Sequence, residues 1–294
     1  MLQLDLPILK KETIDDTIVN VSQVHHLSPF RYPGGKTWLV PRVIKWIINQ
    51  KDKPKLFIEP FVGGGIISLT VAHEGLADKC LMIELDDEIS AVWKTIIYGD
   101  AKWLINKILT FKLSIESANE ALGNKPETIE EKGFQTILKN RIYHGGILAP
   151  GSGRLKNGEN GKGIHSRWYP ETLAKRITNI LRFRDKLEFL EEDAFDKIQE
   201  HLKDSSAMFF IDPPYTASKK KAGSRLYRFH QIDHERLFKL ISKSKASYMM
   251  TYDDAEEIKN LCDKYNLSYR SIPMKGTHHR KLSELIICNN FDWI

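Results

Sequence analysis

Leu56-Phe57-Ile58-Glu59-Pro60-Phe61-Val62-Gly63-Gly64-Gly65 decides the fold. Its opening run, Leu56-Phe57-Ile58-Glu59, reads as a buried strand. Pro60 stops the strand and the glycines make a tight turn. Ile66 to His73 begins a helix, Cys80 to Ile83 is a second strand closed by Glu84, and another helix runs through Ala91 to Ile97. Strand, glycine turn, helix, strand and acid, in that order, open a doubly wound parallel sheet. The buried-strand pattern returns at Leu187 to Leu190, Met208 to Ile211, Ser247 to Thr251 and Leu285 to Cys288. An α/β protein with a Rossmann-like doubly wound sheet is therefore predicted.

Between the second and third strands the pattern changes. Helical spacing is legible around Trp103 to Phe111 and Phe134 to Ile142, followed by Gly145, Gly146, Gly151, Gly153, Gly158, Gly161 and Gly163. Glycines in such number do not sit cheaply in regular elements, so a mobile loop ordered by a partner is expected there. At the N-terminal side, Pro29 to Lys36 reads as a loop. An amphipathic helix follows from about Pro41, with Val43, Trp46 and Ile47 on one face. The expected organisation is a polar arm over 1–28, a sheet domain built from 29–98 and 187–294, and a helical, glycine-rich insert over 99–186.

With 294 residues, 41% hydrophobic and 28% charged, the chain has the composition of a folded globular protein. No apolar run approaches the ~18 residues needed to cross a bilayer, and Met1 to Val24 lacks the charge pattern of a signal peptide. Membrane partners are therefore not expected. Cys80, Cys262 and Cys288 are few and far apart, which suits a reduced, cytoplasmic setting and offers no CxxC metal signature. The adjacent pairs His25-His26 and His278-His279 do not easily face one metal from a regular element.

The net charge is +6, and its distribution is more informative. From Lys139 to Lys186 there are eleven Lys/Arg against three acids, Glu159, Glu171 and Asp185. A second basic stretch carries Lys219, Lys220, Lys221, Arg225 and Arg228 with no acid among them. Isolated runs of this kind are usually solvated surface, but two flanking one candidate site favour nucleic acid. The candidate phosphate contacts are Arg141, Arg154, Lys156, Lys162 and Arg167 in the first stretch, with Lys219, Lys220, Lys221 and Arg225 in the second.

That candidate site is Asp212-Pro213-Pro214-Tyr215, directly behind Met208-Phe209-Phe210-Ile211. Two prolines hold the chain rigid at the carboxyl end of a strand, where open α/β sheets bind ligands. A planar substrate bearing an amino group suits the place: Tyr215 stacks on it while Asp212 and the Pro213 carbonyl accept its N–H bonds. The glycine turn admits a ligand close to the backbone at a helix N-terminus, and an acid about 20 residues on can hold ribose hydroxyls. Glu84 lies at that distance. The turn departs from GxGxxG, which tilts the reading from a dinucleotide towards a nucleoside without pyrophosphate, such as S-adenosylmethionine. NAD remains an alternative.

Four segments, in order, resemble the D12 class of N6-adenine DNA methyltransferases, the DNA adenine methylase group. They are Phe30-Arg31-Tyr32-Pro33-Gly34-Gly35-Lys36, the stretch Phe57 to Gly65, Asn140-Arg141 with Gly145-Gly146-Ile147, and Asp212-Pro213-Pro214-Tyr215. The stretch from Arg280-Lys281 to Glu284-Leu285-Ile286-Ile287 is similar to the family's ending. The resemblance implies S-adenosylmethionine as methyl donor, no metal, and double-stranded DNA as partner, with a helical insert that reads the target sequence. It implies that Tyr32, Lys36, Pro60, Phe61, Gly63 and Gly65 form the donor site, with Lys36 suited to a carboxylate. Glu84, or Asp86 in its place, would take the ribose hydroxyls, and Asp193 the donor's adenine amino group. Asp212 would contact both donor and target base, and Tyr215 would stack on the target. A cognate restriction endonuclease is a possible partner, and the oligomeric state is open. The competing readings are methylation of cytosine N4 or of RNA adenine, and a catalytically silent DNA-binding relative.

Overall fold

The computed structural model describes residues 21, 24–32, 34–214, 228, 232–275 and 281–294. All six apolar runs read as strands enter one sheet: β1 (Leu56–Glu59), β2 (Lys79–Ile83), β3 (Leu187–Leu190), β4 (Ala207–Ile211), β5 (Ser247–Asp253) and β7 (Lys281–Cys288). A strand not expected from the sequence, β6 (Tyr269–Lys275), completes the order β3-β2-β1-β4-β5-β7-β6. Strands β3, β2, β1, β4 and β5 run parallel, and β7 turns back antiparallel to both β5 and β6. The sheet is therefore mixed at one edge. Its β6 carries Pro273, which pairs opposite Ser283. Proline lacks the N–H that a central strand must donate, so it is tolerated at this edge.

Side chains alternate between the two faces, as the two-residue strand period requires. Phe57, Cys80, Met82, Met208 and Phe210 face one way, into a core shared with α1 (Val40–Ile48), α2 (Ile66–Glu74) and α3 (Asp87–Ile97). Ile58, Leu81, Ile83, Phe209 and Ile211 face the other way. They pack on α8 (Ala194–His201), α9 (His234–Ile241) and α10 (Glu256–Tyr265). Both faces of the inner parallel strands are covered, which is why Met208 to Ile211 reads as an unbroken apolar run, whereas the edge strand β3 exposes Glu188. In α1, Val43, Trp46 and Ile47 are buried together, as their spacing predicts. Trp93 is fully buried and Trp38 partly so.

Between α3 and β3 the chain is helical: α4 (Ala101–Thr110), α5 (Ile115–Gly123), α6 (Ile129–Ile142) and α7 (Pro170–Ile180). Two of these start on capping boxes, Ser114 with Ser117 and Thr128 with Glu131, which satisfy first-turn N–H groups. Phe134, Ile137 and Leu138 of α6 and Leu173 and Ile177 of α7 join the same core as α2 and α3. The glycine-rich segment, expected to be a mobile loop ordered by a partner, contains short 3-10 turns. Gly151, Gly158, Gly161 and Gly163 take positive φ there, and Ile164 and Trp168 anchor it in the core.

Asn140 of α6 ties this helical region to the loop preceding α1. Its amide donates to the carbonyls of Arg31 (2.9 Å) and Gly146 (2.7 Å) and accepts from the Arg31 N–H (2.9 Å). It is fully buried. At Gly146, with φ of +75°, an added Cβ would lie 2.1 Å from the Arg31 carbonyl oxygen, so only glycine allows this approach. Asn140→Ala should therefore leave several buried polar groups unsatisfied and cost about 3 kcal/mol. Urea denaturation should show a lowered midpoint with an unchanged m-value.

Candidate active site

β1 and β4 are neighbours, but the helix after β1 covers one face of the sheet and the helix after β4 covers the other. A crevice opens where the two connections part, at the carboxyl ends of the strands. A cavity of about 720 Å³ occupies it, which is within the size range of small-molecule sites. Tyr32, Lys36, Pro60, Phe61 and Gly65 line it, as do Glu84, Asp193, Asp212 and Pro214. Sequence positions far apart in the chain thus meet in one place. Gly63 lies in the turn without lining the cavity, and Pro213 is buried. Tyr215 lies outside the described residues.

At the floor, Lys36 is buried among carboxylates. Its ammonium contacts Asp212 Oδ1 at 2.9 Å and Glu284 Oε1 at 3.0 Å, and donates to the Gly34 carbonyl at 3.1 Å. Burial favours discharge, but the two carboxylates outweigh it and hold the lysine above its usual pKa. The Thr251 hydroxyl also donates to Asp212 Oδ1, at 2.8 Å. Asp212 is thus gripped from the loop before α1 and from β5, and its acceptor group keeps one orientation. The side chain remains 22% exposed, towards the cavity.

The wall is the glycine turn. Gly63 has φ of +44°, and a Cβ there would lie 2.5 Å from the Tyr32 ring, so the ring rests directly on the turn. The Trp93 indole N–H donates to the Gly63 carbonyl at 3.0 Å, and the Ser28 hydroxyl donates to the Gly64 carbonyl. Glu84 closes the turn from the end of β2. Its carboxylate accepts from the N–H groups of Gly63 (2.9 Å), Leu85 (3.0 Å) and Asp86 (3.0 Å). Burial pushes its pKa up to about 7 against those bonds. Asp86, the alternative to Glu84, caps α3 through the Glu88 N–H and pairs with Arg228 at 3.2 Å. Asp193 caps α8 through the Phe195 N–H at 2.7 Å, with its side chain at the cavity rim.

Several residues of the site were not singled out from the sequence. Glu59 is 4% exposed, accepts from the Ser68 N–H at 2.9 Å, and is pushed up to about 8 by burial. Its position as the acid that ends β1, beside Glu84 ending β2, is the signal that points to it. Glu284 is an acid directly ahead of the apolar run Leu285 to Cys288, a pattern that marks a buried partner for a cation. Thr251 carries no such signal.

The basic residues divide. Lys156 and Lys162 are exposed. Arg154 is half-buried and donates to the Asn119 side chain, and Arg167 is half-buried. Arg141, expected at the surface, is interior: 8% exposed, it donates to the Pro29 carbonyl. It sits at the end of α6 one residue after Asn140, so the same docking that buries Asn140 buries it. Lys219, Lys220, Lys221, Arg225, His278, His279 and Arg280 lie outside the described residues, as does the arm over 1–20. His25 packs near the His73 ring. Among the described residues no helix is long and apolar enough to cross a membrane.

The sequence pattern of the D12 class N6 adenine-specific DNA methyltransferases matches residues 32–130 and 156–273. The type II methyltransferase M.MjaIII of Methanocaldococcus jannaschii is 22% identical over 292 residues, spanning 90% of this chain and 99% of that protein. The type II methyltransferase M.CviBI of Paramecium bursaria Chlorella virus NC1A is 25% identical over 235 residues, spanning 80% and 86%. Among solved structures, the rRNA methyltransferase AviRa from Streptomyces viridochromogenes aligns over 87% of this chain and 86% of its own, at 12% identity and a TM-score of 0.37. The family pattern runs from the tyrosine on the glycine turn, through the Asp-Pro-Pro turn, to the edge strand, and the chain belongs to the D12 class of N6 adenine-specific DNA methyltransferases.

Proposed function

We propose that the enzyme methylates adenine N6 within a specific double-stranded DNA sequence, on a base rotated out of the duplex into the cavity. We further propose that it is the modifying partner of a cognate restriction endonuclease, a reading supported by the type II relatives. One observation carries the chemical reading: the Asp212 carboxylate, fixed by Lys36 and Thr251, stands on the floor of a cavity walled by the glycine turn.

The exocyclic nitrogen of adenine is a weak nucleophile because its lone pair is delocalised into the ring. Asp212 accepts one of its hydrogens and the Pro213 carbonyl the other, which favours a pyramidal, electron-rich nitrogen. When bound, S-adenosylmethionine would supply an electrophilic methyl group to N6 and leave as the neutral thioether, and the proton lost from N6 would pass to the Asp212 carboxylate or through it to water. Acceptors already oriented at the nitrogen stabilise the charge that develops there. Their rigidity also serves the in-line approach, which is chiefly a positioning task. Glu84 takes the donor ribose and Asp193 its adenine amino group, between walls formed by Tyr32, Pro60 and Phe61. A base inside a duplex is unreachable, so it is flipped, and Tyr215 provides the stacking face. Exposed Lys156 and Lys162, with Lys219, Lys220, Lys221 and Arg225, neutralise phosphates.

Asp212→Asn keeps the shape of the side chain that Lys36 and Thr251 hold, so the fold should persist with a similar melting temperature. Turnover should fall at least ~10²-fold, as on removal of one preorganised group. Near-normal N6-methyladenine formation, read by nucleoside digestion and mass spectrometry, would refute the assignment. Donor affinity should decline as pH falls through about 7, where Glu84 takes up its proton. Isothermal titration between pH 8 and pH 6 should show this slope, and Glu84→Gln should flatten it. Replacing Lys156 and Lys162 by alanine should lower the slope of log affinity against log salt by roughly 0.9 for each phosphate that is no longer neutralised.

A further inference from the structure

The cavity has two electrically different ends. On its floor, Lys36 sits between Asp212 and Glu284, with Glu59 also lining the cavity. An ammonium has three hydrogens, and those of Lys36 are directed at Asp212, Glu284 and the Gly34 carbonyl. One cation against two carboxylates leaves this end negative. Lys36 therefore has nothing to offer an incoming carboxylate.

A guanidinium lines the cavity beside the glycine turn. Arg176 of α7 lines the cavity half-buried and donates to the Ser28 carbonyl at 3.0 Å. Ser28 in turn donates through its hydroxyl to Gly64, so the guanidinium stands one residue away from the glycine turn. Behind it lies Arg141, 8% exposed, whose Nε is buried without a hydrogen-bond partner. Among the described residues, neither arginine forms an ion pair. Burial lowers the pKa of both, and the neighbouring charge of Arg176 lowers that of Arg141 further, to about 10. A buried arginine beside a half-buried one, without an anion, is costly, and an anion in the cavity would relieve the cost.

We infer that Arg176, backed by Arg141, receives the carboxylate of the methyl donor's amino-acid end. The assignment rests on the donor reading of the cavity given above. That end of the donor is a zwitterion, and the cavity offers the matching pair: carboxylates at the floor for the ammonium and sulfonium, and a guanidinium fork beside the glycine turn for the carboxylate. A guanidinium presents parallel N–H groups that fit a carboxylate two at a time. A DNA phosphate is the rival anion. The place of Arg176 beside Ser28 and the glycine turn, inside the cavity, favours the donor.

The test is titration of the full chain with S-adenosylmethionine and with decarboxylated S-adenosylmethionine, which differs only in lacking the carboxylate. The wild-type protein should prefer the former by roughly ten- to a hundred-fold, as for a hydrogen bond between charged groups. In Arg176→Gln the preference should collapse towards unity while affinity for the decarboxylated donor is retained, and Arg176→Lys should recover part of it. Equal binding of the two donors by the wild-type protein would overturn the inference without recourse to any variant. An undiminished preference in Arg176→Gln, accompanied by weaker DNA binding and a shallower salt dependence, would overturn it in favour of a phosphate. Failure of the wild-type protein to bind either donor would remove the donor reading itself, a result distinct from both.

Discussion

Lys36 is the cation around which the site is assembled. It comes from the loop before α1, Asp212 from the end of β4 and Glu284 from β7, while Thr251 of β5 reaches the same Asp212 oxygen. A charge with 4% exposure is tolerable only with such partners, so any fold that buries Lys36 must bring these strands together. The antiparallel return of β7 beside β5 is what delivers Glu284. The unusual edge of the sheet and the orientation of the reactive carboxylate are therefore one constraint seen from two sides.

The glycine turn obeys a second, steric constraint. Tyr32 rests on it, Trp93 and Ser28 hold its carbonyls, and Glu84 holds its amide from the next strand. The segment that supplies Ser28 and Tyr32 is itself held from the helical region, by Asn140 on Arg31 and by Arg141 on Pro29. The helical region and the glycine turn thus share a continuous core and hydrogen-bond network. Displacement of α6 would be transmitted to the turn through Asn140, whose partners are backbone groups that cannot rotate away.

Charge in the cavity follows from the same arrangement. The sheet contributes its acids at strand ends, Glu59, Glu84 and Asp212, and the helical region contributes Arg141 and Arg176. Arg228, alone among the described residues of its stretch, joins the acids at the start of α3, pairing with Asp87 at 2.7 Å.

The apolar runs at Leu56, Cys80, Met208, Ser247 and Leu285 marked their strands because residues buried on both faces leave an unambiguous pattern, and Leu187 to Leu190 marked its edge strand by alternation, with Glu188 exposed. The proline and glycine turns after Glu59 and Asp212 marked the site because local chain geometry is a local property. Edge strand β6 left no such pattern, since one of its sides faces no neighbour and it carries Tyr269, Arg270, Ser271 and Pro273. Nor did the sequence distinguish a basic residue that meets solvent, such as Lys156, from one that is buried, such as Arg141. Burial of a charge is decided by what packs over it, and the partners of Lys36, Arg141 and Asn140 come from distant segments. Residue types and local turns specified by themselves which chemistry was available; only long-range packing decided which charges neutralise one another and which are left facing the cavity.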